Sequence, residues 1–346
     1  MLNYLIAIDK PSGMTSHDVV AKLRGILSQK RIGHAGTLDP FATGVLVVGL
    51  GQATKLLERL TAEDKVYEAT FALGTETTTD DVEGEIISQK ALSAEEREQL
   101  LSAEFANARL TELKTWTEQI PPSYSAVSVD GTRSYKRAWK EAKEEVEASL
   151  SARSISIYDA VLLNIEDSEG GEILWTVRLH VSKGTYVRAL ARDLGRTLGC
   201  GSYVKTLRRE RSGYIGLADC ITLDTLQKAK DECAHQSVSV ERHDSEENDT
   251  LAHFLSEHAL NPYEVLNMPF RYVTELDLKK ARFGESLYNT DATSAGKIIK
   301  PKPEDDVALY NEEGLWGLWK VKDQLSLVCD KNFPEPIACV EVPYGF

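Results

Sequence analysis

Eighteen residues constrain this chain more than any others: Gly33-His34-Ala35-Gly36-Thr37-Leu38-Asp39-Pro40-Phe41-Ala42-Thr43-Gly44, followed at once by Val45-Leu46-Val47-Val48-Gly49-Leu50. The second part is an almost purely apolar run of strand length, which predicts a buried strand rather than a half-exposed one. The first part is a loop rich in glycine, stiffened by one proline, and it must hang from the edge of the core that the strand enters. Pro40 biases Asp39 toward an extended backbone, while the glycines allow tight turns and close approach of a ligand. A single carboxylate is thereby aimed out of a rigid frame, and this predicts a catalytic loop with Asp39 at its centre.

The formal charge of −14 in 346 residues argues against a protein that binds polyanions with its whole surface. The charge is segregated, however. Residues 183–211 hold eight basic side chains against two acidic ones, and residues 228–257 hold eight acidic against three basic. Such asymmetry predicts a local basic cleft on an acidic protein. Five cysteines with no Cys-x-x-Cys spacing indicate unpaired thiols in a reducing compartment, and neither a zinc site nor a disulfide framework. The apolar run near the N-terminus is too short for a signal sequence or a membrane span, so a cytoplasmic protein is expected.

Periodicity predicts a strand over Tyr4 to Asp9, a helix over Thr15 to Leu27, a helix near Ala53 to Leu60, and a half-buried strand over Lys65 to Leu73. Ser93-Ala94-Glu95-Glu96 is a capping box that opens a helix running toward Leu110. Strands follow over Ser154 to Ile165 and Ile173 to Val181, then a helix from Thr185 to Leu198. Strands and helices mix without a βαβ rhythm, which indicates an α+β class. The expected boundaries are a catalytic domain over 1–226, an acidic linker or insertion over 227–260, and a small β domain over 261–346. The run Arg242 to Asp249, almost free of apolar residues, is expected to be linker or mobile insertion.

The string from Gly33 to Gly44 resembles the signature loop of the TruB family of RNA pseudouridine synthases, close to G-H-x-G-x-L-D-P-x-A-T-G. Further blocks follow in family order: Asp9-Lys10-Pro11-Ser12-Gly13, Gln52-Ala53-Thr54-Lys55, Lys65-Val66-Tyr67-Glu68-Ala69, Gln119-Ile120-Pro121-Pro122-Ser123-Tyr124-Ser125-Ala126, Ser182-Lys183-Gly184-Thr185-Tyr186-Val187-Arg188, and Leu207-Arg208-Arg209. Ala138-Trp139-Lys140-Glu141 departs from the family's A-R-x-G, which puts RNA contacts from that stretch in doubt. The resemblance implies the pseudouridine synthase fold, a mixed, largely antiparallel sheet, with a PUA-like β-barrel at the C-terminal end. It implies isomerisation of uridine 55 in the tRNA T-loop, with Asp39 catalytic, as nucleophile or as base at the ribose. Tyr67 and Tyr186 would abut the flipped base, Arg188 would orient Asp39, and Leu207 would wall the pocket. His34, Lys10 and Lys55 would bind RNA. The substrate is then the T-arm of tRNA, acted on by a monomer with no cofactor, metal, membrane or obligatory protein partner. A tRNA-folding chaperone with dispensable catalysis is the alternative. On a helical wheel Arg188, Arg192 and Arg196 share one sector, a basic face opposite an apolar one. Asp80 and Asp81 are read as structural.

Overall fold

The computed structural model describes residues 1–124, 128–129, 132–133, 147, 149–238, 244–283, 285–294, 297–324 and 326–338. The main strands are β1 (Leu5–Lys10), β2 (Ile32–Ala35), β3 (Thr43–Leu50), β4 (Lys65–Leu73), β5 (Ile157–Asp167), β6 (Ile173–Val181), β7 (Ser202–Ser212), β8 (Cys220–Ile221), β9 (Phe270–Tyr272), β10 (Leu287–Tyr288), β11 (Ala292–Ser294), β12 (Lys297–Ile299), β13 (Asp306–Asn311), β14 (Gly314–Val321) and β15 (Ser326–Ile337). The helices are α1 (Ser16–Ile26), α2 (Leu57–Thr61), α3 (Ala94–Leu100), α4 (Ala103–Leu113), α5 (Val187–Thr197), α6 (Leu223–Val238), α7 (Asp244–Glu257), α8 (Pro262–Leu266) and α9 (Glu275–Arg282), with a 3-10 turn over Gly51–Leu56 before α2. The chain forms two compact units, the first from residues 1–39, 44–62 and 212–346 and the second from 40–43 and 63–211.

In the first unit β1 lies between β3, antiparallel to it, and β8, parallel to it, and β2 pairs with the other edge of β3. The apolar run over Val45 to Leu50 is buried because both faces of β3 are covered. Leu5, Ala7, Val45 and Val47 pack with Leu56, Leu57 and Leu60 and with Leu266, Leu318, Phe333 and Ile337. The alternate residues Ile6, Ile8, Leu46 and Val48 pack with Val19, Val20 and Leu23 of α1, Leu226 of α6 and Leu255 of α7. Strands buried on both faces read as continuous hydrophobic runs rather than as alternation. The C-terminal sheet has the order β10-β15-β14-β13-β9-β11-β12 and is antiparallel apart from the β9–β13 pair.

In the second unit the order is β5-β6-β4-β7. The residues on one face of β4 are buried and their neighbours are intermediate, the alternation expected of a strand covered on one side. Trp175 on β6, fully buried, donates its indole N–H to the Leu100 carbonyl at 2.8 Å and meets the ring of Phe105 edge-on. The fold class is α+β with mixed, largely antiparallel sheets.

Four local expectations are corrected. The helix opened by the Ser93 capping box ends at Leu100, because Ser102 caps a second helix by accepting from the Phe105 N–H at 3.3 Å. The expected helix near Ala53 to Leu60 is a 3-10 turn followed by the short α2. His34 lies on β2, opposite Val48, and not in the loop. Residues 244–249, expected to be linker or mobile insertion, are the start of α7. The acids that make this run polar suit the positive end of a helix, and Leu251, Phe254 and Leu255 just beyond them pack on the core.

Candidate active site

In the first unit, the geometry around Asp39 is set from the helix that follows the Lys10-Pro11 turn. Thr15 caps α1: its hydroxyl accepts from the Asp18 N–H at 3.0 Å, and Asp18 accepts in return from the Thr15 N–H at 2.9 Å. The Thr15 hydroxyl, which also donates to the Asp18 carboxylate at 2.6 Å, and after it the Thr15 N–H hold the Asp18 carboxyl below its ordinary pKa. With the cap supplied by Thr15, the hydroxyl of Ser16 is directed elsewhere. Ser16 is 1% exposed, accepts from the Leu38 N–H at 2.9 Å and donates to the Leu38 carbonyl at 3.2 Å. Both backbone groups of the residue before Asp39 are thus fixed by one side chain. After β2 the chain turns at Gly36, whose φ of 79° is in the left-handed region, runs through buried Leu38, and leaves Asp39 at intermediate exposure.

Lys10, expected to bind RNA, is fully buried, and its ammonium donates to the carbonyls of Pro11 at 2.8 Å and Met14 at 2.6 Å. Lys55 donates to the Asn332 carbonyl at 2.7 Å and stands 5.4 Å from the centre of the Phe333 ring. Burial, with the charge of Arg31 adding to it, lowers its pKa. Lys331 returns the contact, donating to the Lys55 carbonyl at 3.2 Å and to Glu58 at 3.0 Å. His34 is half-buried, edge-on to the His17 ring with centroids 6.4 Å apart.

In the second unit Tyr67 is on the buried side of β4, opposite Leu179 of β6. Leu207, also buried, is on the adjacent strand β7. Lys65 shares the Tyr67 side of β4, and burial, together with the charge of Arg209, pushes its amine down to about 8. Tyr186 is the N-cap residue of α5 and is half-exposed. Its side chain does not cap the helix. Instead, the amide of Gln119 accepts from the Tyr186 N–H at 2.6 Å and donates to the Tyr186 carbonyl at 3.3 Å.

Arg188, in the first turn of α5, donates to the carbonyls of Thr79 at 2.8 Å and Tyr124 at 3.0 Å and pairs with Asp81 at 3.2 Å. One turn on, Arg192 pairs with Asp193 at 2.7 Å, Glu147 at 3.3 Å and Asp80 at 3.5 Å, and donates to the Ile120 carbonyl at 2.8 Å. The loop carrying both aspartates is tight. Asp80 has a left-handed φ of 61°, and a Cβ at Gly84 would stand 2.4 Å from the Thr79 hydroxyl. The shared sector of Arg188 and Arg192 therefore does not form a basic surface. It is buried against acids. Arg188, Arg192 and Arg209, three of the eight basic residues over 183–211, are interior and add nothing to a basic surface.

Four of the expected site residues, Lys10, His34, Asp39 and Lys55, belong to the first unit, and Tyr67, Tyr186, Arg188 and Leu207 to the second. The departure at Ala138-Trp139-Lys140-Glu141 lies outside the described residues. Sequence reasoning assigned no role at the site to Ser16 or Gln119. Ser16 is the second of two adjacent hydroxyls of which a helix needs one, and Gln119 is a glutamine ahead of a Pro-Pro turn; both are signals of backbone clamping.

The chain matches two family models end to end: "TruB family pseudouridylate synthase (N terminal domain)" over residues 24–187 and "tRNA pseudouridylate synthase B C-terminal domain" over residues 188–264. It is 38% identical over 310 residues to the tRNA pseudouridine synthase B of Mycobacterium sp. (strain KMS), covering 90% of this chain and 92% of the relative. It is 45% identical over 228 residues to that of Streptomyces avermitilis, covering 65% of this chain and 72% of the relative. Among solved structures it resembles a chain of the Nop10–Cbf5 complex of the archaeal box H/ACA sRNP, with a TM-score of 0.60 at 22% identity over 99% of this chain and 89% of the other. A Cbf5–Nop10–Gar1 complex gives a TM-score of 0.60 at 24% identity over 96% of this chain and 85% of the other. The fold is shared with these chains, including a PUA-like C-terminal β domain.

Proposed function

The chain belongs to the TruB family of pseudouridylate synthases, and from that membership we propose that it converts uridine 55 in the T-loop of tRNA to pseudouridine. The observation that carries this reading is the identity to tRNA pseudouridine synthase B along nine-tenths of the chain. The reaction breaks the N1–C1′ bond, turns the uracil, and joins C5 to C1′. The C5 proton leaves and N1 gains one, so substrate and product are isomers. Leaving group and incoming nucleophile are the same base, and the protein has to supply a placed carboxylate and a pocket that retains the ring.

Asp39 is that carboxylate. Attack at C1′ and proton removal at the ribose are the two routes open to it, and both ask for a backbone that holds its carboxylate still. The paired hydrogen bonds of Ser16 to Leu38 support this. The target base leaves the stack, at a cost of a few kcal/mol, and the rings of Tyr67 and Tyr186 replace the lost contact; one aromatic partner is worth about 1–3 kcal/mol per base. Arg188 acts at this site from a position fixed by Asp81 and two carbonyls. Leu207 gives the pocket an apolar wall, and His34 contacts the T-arm. Lys10 and Lys55, with ammonium groups engaged by backbone carbonyls, support the fold that presents them. The protein acts as a monomer and without an obligatory protein partner.

The test is pseudouridine mapping by carbodiimide-blocked primer extension on an unmodified T-arm hairpin with wild type and Asp39→Ala. Modification at the T-loop uridine by wild type alone is the expected result. Equal modification by both proteins would remove Asp39 from the mechanism. Failure of both, with RNA binding and refolding retained, would replace the enzyme reading with the chaperone one.

A further inference from the structure

We propose that Gln119 is the positioning residue for Tyr186, a role that rests on the placement of Tyr186 in the substrate pocket proposed above. A helix N-terminus leaves several backbone groups without intrahelical partners, and the commonest remedy is a hydroxyl or carboxylate at the N-cap itself. α5 begins differently. Its N-cap is a tyrosine, too long to fold back on its own helix, and no side-chain cap is formed there. The carboxamide of Gln119, 3% exposed, instead binds the N-cap residue itself, holding the N–H and the carbonyl of Tyr186 together. At neutral pH a primary amide is the side-chain group that offers an acceptor and a donor side by side in one plane. The pair fixes the peptide planes on both sides of the Tyr186 Cα, and hence the direction in which the ring departs.

The same stretch of chain holds the next turn of the helix. The Ile120 carbonyl accepts from Arg192 and the Tyr124 carbonyl from Arg188. Residues 119–124 are thus tied to α5 at Tyr186, Arg188 and Arg192, the first of these through the Gln119 side chain. Arg188 and Arg192 have carboxylates to hold them as well. The backbone of Tyr186 is held by the amide of Gln119 through both its N–H and its carbonyl.

The test uses the full-length protein with tRNA transcript labelled with tritium at uracil C5, reading tritium release in single turnover and tRNA Kd by filter binding. Gln119→Leu keeps the bulk of the side chain and removes both hydrogen bonds. It is expected to slow single turnover about tenfold, the factor that about 1.4 kcal/mol represents, with Kd changed less than about twofold. Gln119→Glu keeps the acceptor for the Tyr186 N–H but, when ionised, sets a buried carboxylate against the Tyr186 carbonyl; relative to wild type at the same pH it is expected to be as slow as Gln119→Leu at pH 8.5 and to recover at pH 5.5, where the protonated acid again offers a donor beside an acceptor. In a Tyr186→Leu background, Gln119→Leu is expected to add less than about twofold, because residues acting through one another are not additive. Full additivity, or Gln119→Leu at the wild-type rate, would overturn the proposal while leaving Tyr186 in the pocket. Tyr186→Leu turning over like wild type would remove Tyr186 from the pocket and the role of Gln119 with it. Should Gln119→Leu fail to fold, Gln119→Asn, one methylene too short to reach both groups, carries the same expectation.

Discussion

Replacing Arg192 with methionine takes a buried cation away from Asp80 and Glu147, of which Glu147 keeps Arg196 at 3.0 Å. The Arg192 side chain is 2% exposed, as is that of Asp80, and the Glu147 side chain is 11% exposed; Asp193, at 28%, turns to water. Removing one partner of a buried ion pair costs about 3–5 kcal/mol, because the remaining charge keeps its desolvation penalty, and the Ile120 carbonyl loses a donor worth about 1 kcal/mol. The two losses overlap, and about 4 kcal/mol is the expected net cost. At about 2–4 °C per kcal/mol for a unit of this size, the second unit should melt about 10 °C lower. The cost depends on pH with a definite sign. In the variant the Asp80 carboxyl, buried and without Arg192, has its folded-state pKa raised relative to wild type, so the variant's native state binds more protons and its deficit grows as pH rises. The deficit against wild type should therefore be larger at pH 7.5 than at pH 5. Scanning calorimetry at both values reads it. Adding Asp80→Asn, which removes the charge and tolerates the left-handed backbone, should recover part of the loss. A deficit below about 1 kcal/mol, or one that does not change with pH, would refute the reasoning, since both the cost and its pH dependence follow from an interior carboxylate that has lost a buried cation.

Lys65→Met should stabilise the protein at neutral pH. The wild-type amine is lowered from 10.5 to about 8, so its burial cost, about 3 kcal/mol, is fully present below pH 8 and is relieved as pH rises toward 10.5, where both states are neutral. After about 1 kcal/mol for the lost bond to the Glu63 carbonyl, a gain of about 2 kcal/mol is expected at pH 7, turning into a loss of about 1 kcal/mol above pH 10.5; the same shift of the urea midpoint at both values would contradict it. Ser16→Ala leaves the Leu38 N–H and carbonyl without their hydroxyl partner, a loss of about 1–3 kcal/mol. Turnover should fall while tRNA affinity holds, and a variant with wild-type kcat would separate Ser16 from the placement of Asp39.

The sequence was most readable where one physical rule acts alone. Lys65 to Leu73 alternates, and β4 has those bounds; Ser93 and Glu96 form a capping box and a helix begins there. It was least readable where a rule applies correctly but its consequence depends on distant residues. Arg188 and Arg192 do share a helix sector, yet whether that sector meets water or acids depends on Asp80 and Asp81, more than a hundred residues earlier. Lys10 and Lys55 look like phosphate ligands because a lysine's usual place is the surface. Here their partners are backbone carbonyls, and carbonyls carry no sequence signal. The run Arg242 to Asp249 lacks apolar residues, and its helix is held by Leu251, Phe254 and Leu255 just downstream.

The core around β1 and β3 is completed by residues from 260 to 337, and the backbone of Asn3 accepts from the N–H of Ala338 at 2.9 Å. During synthesis, then, the loop bearing Asp39 emerges early, while the core beneath it is complete only once residues up to 337 have left the ribosome. The second unit, residues 40–43 and 63–211, is complete in sequence by position 211, and units of this kind fold as they emerge. Loss of Phe333 and Ile337 would reach the core under the first strand, and Asp39 stands on an unfinished core until position 337 has been made.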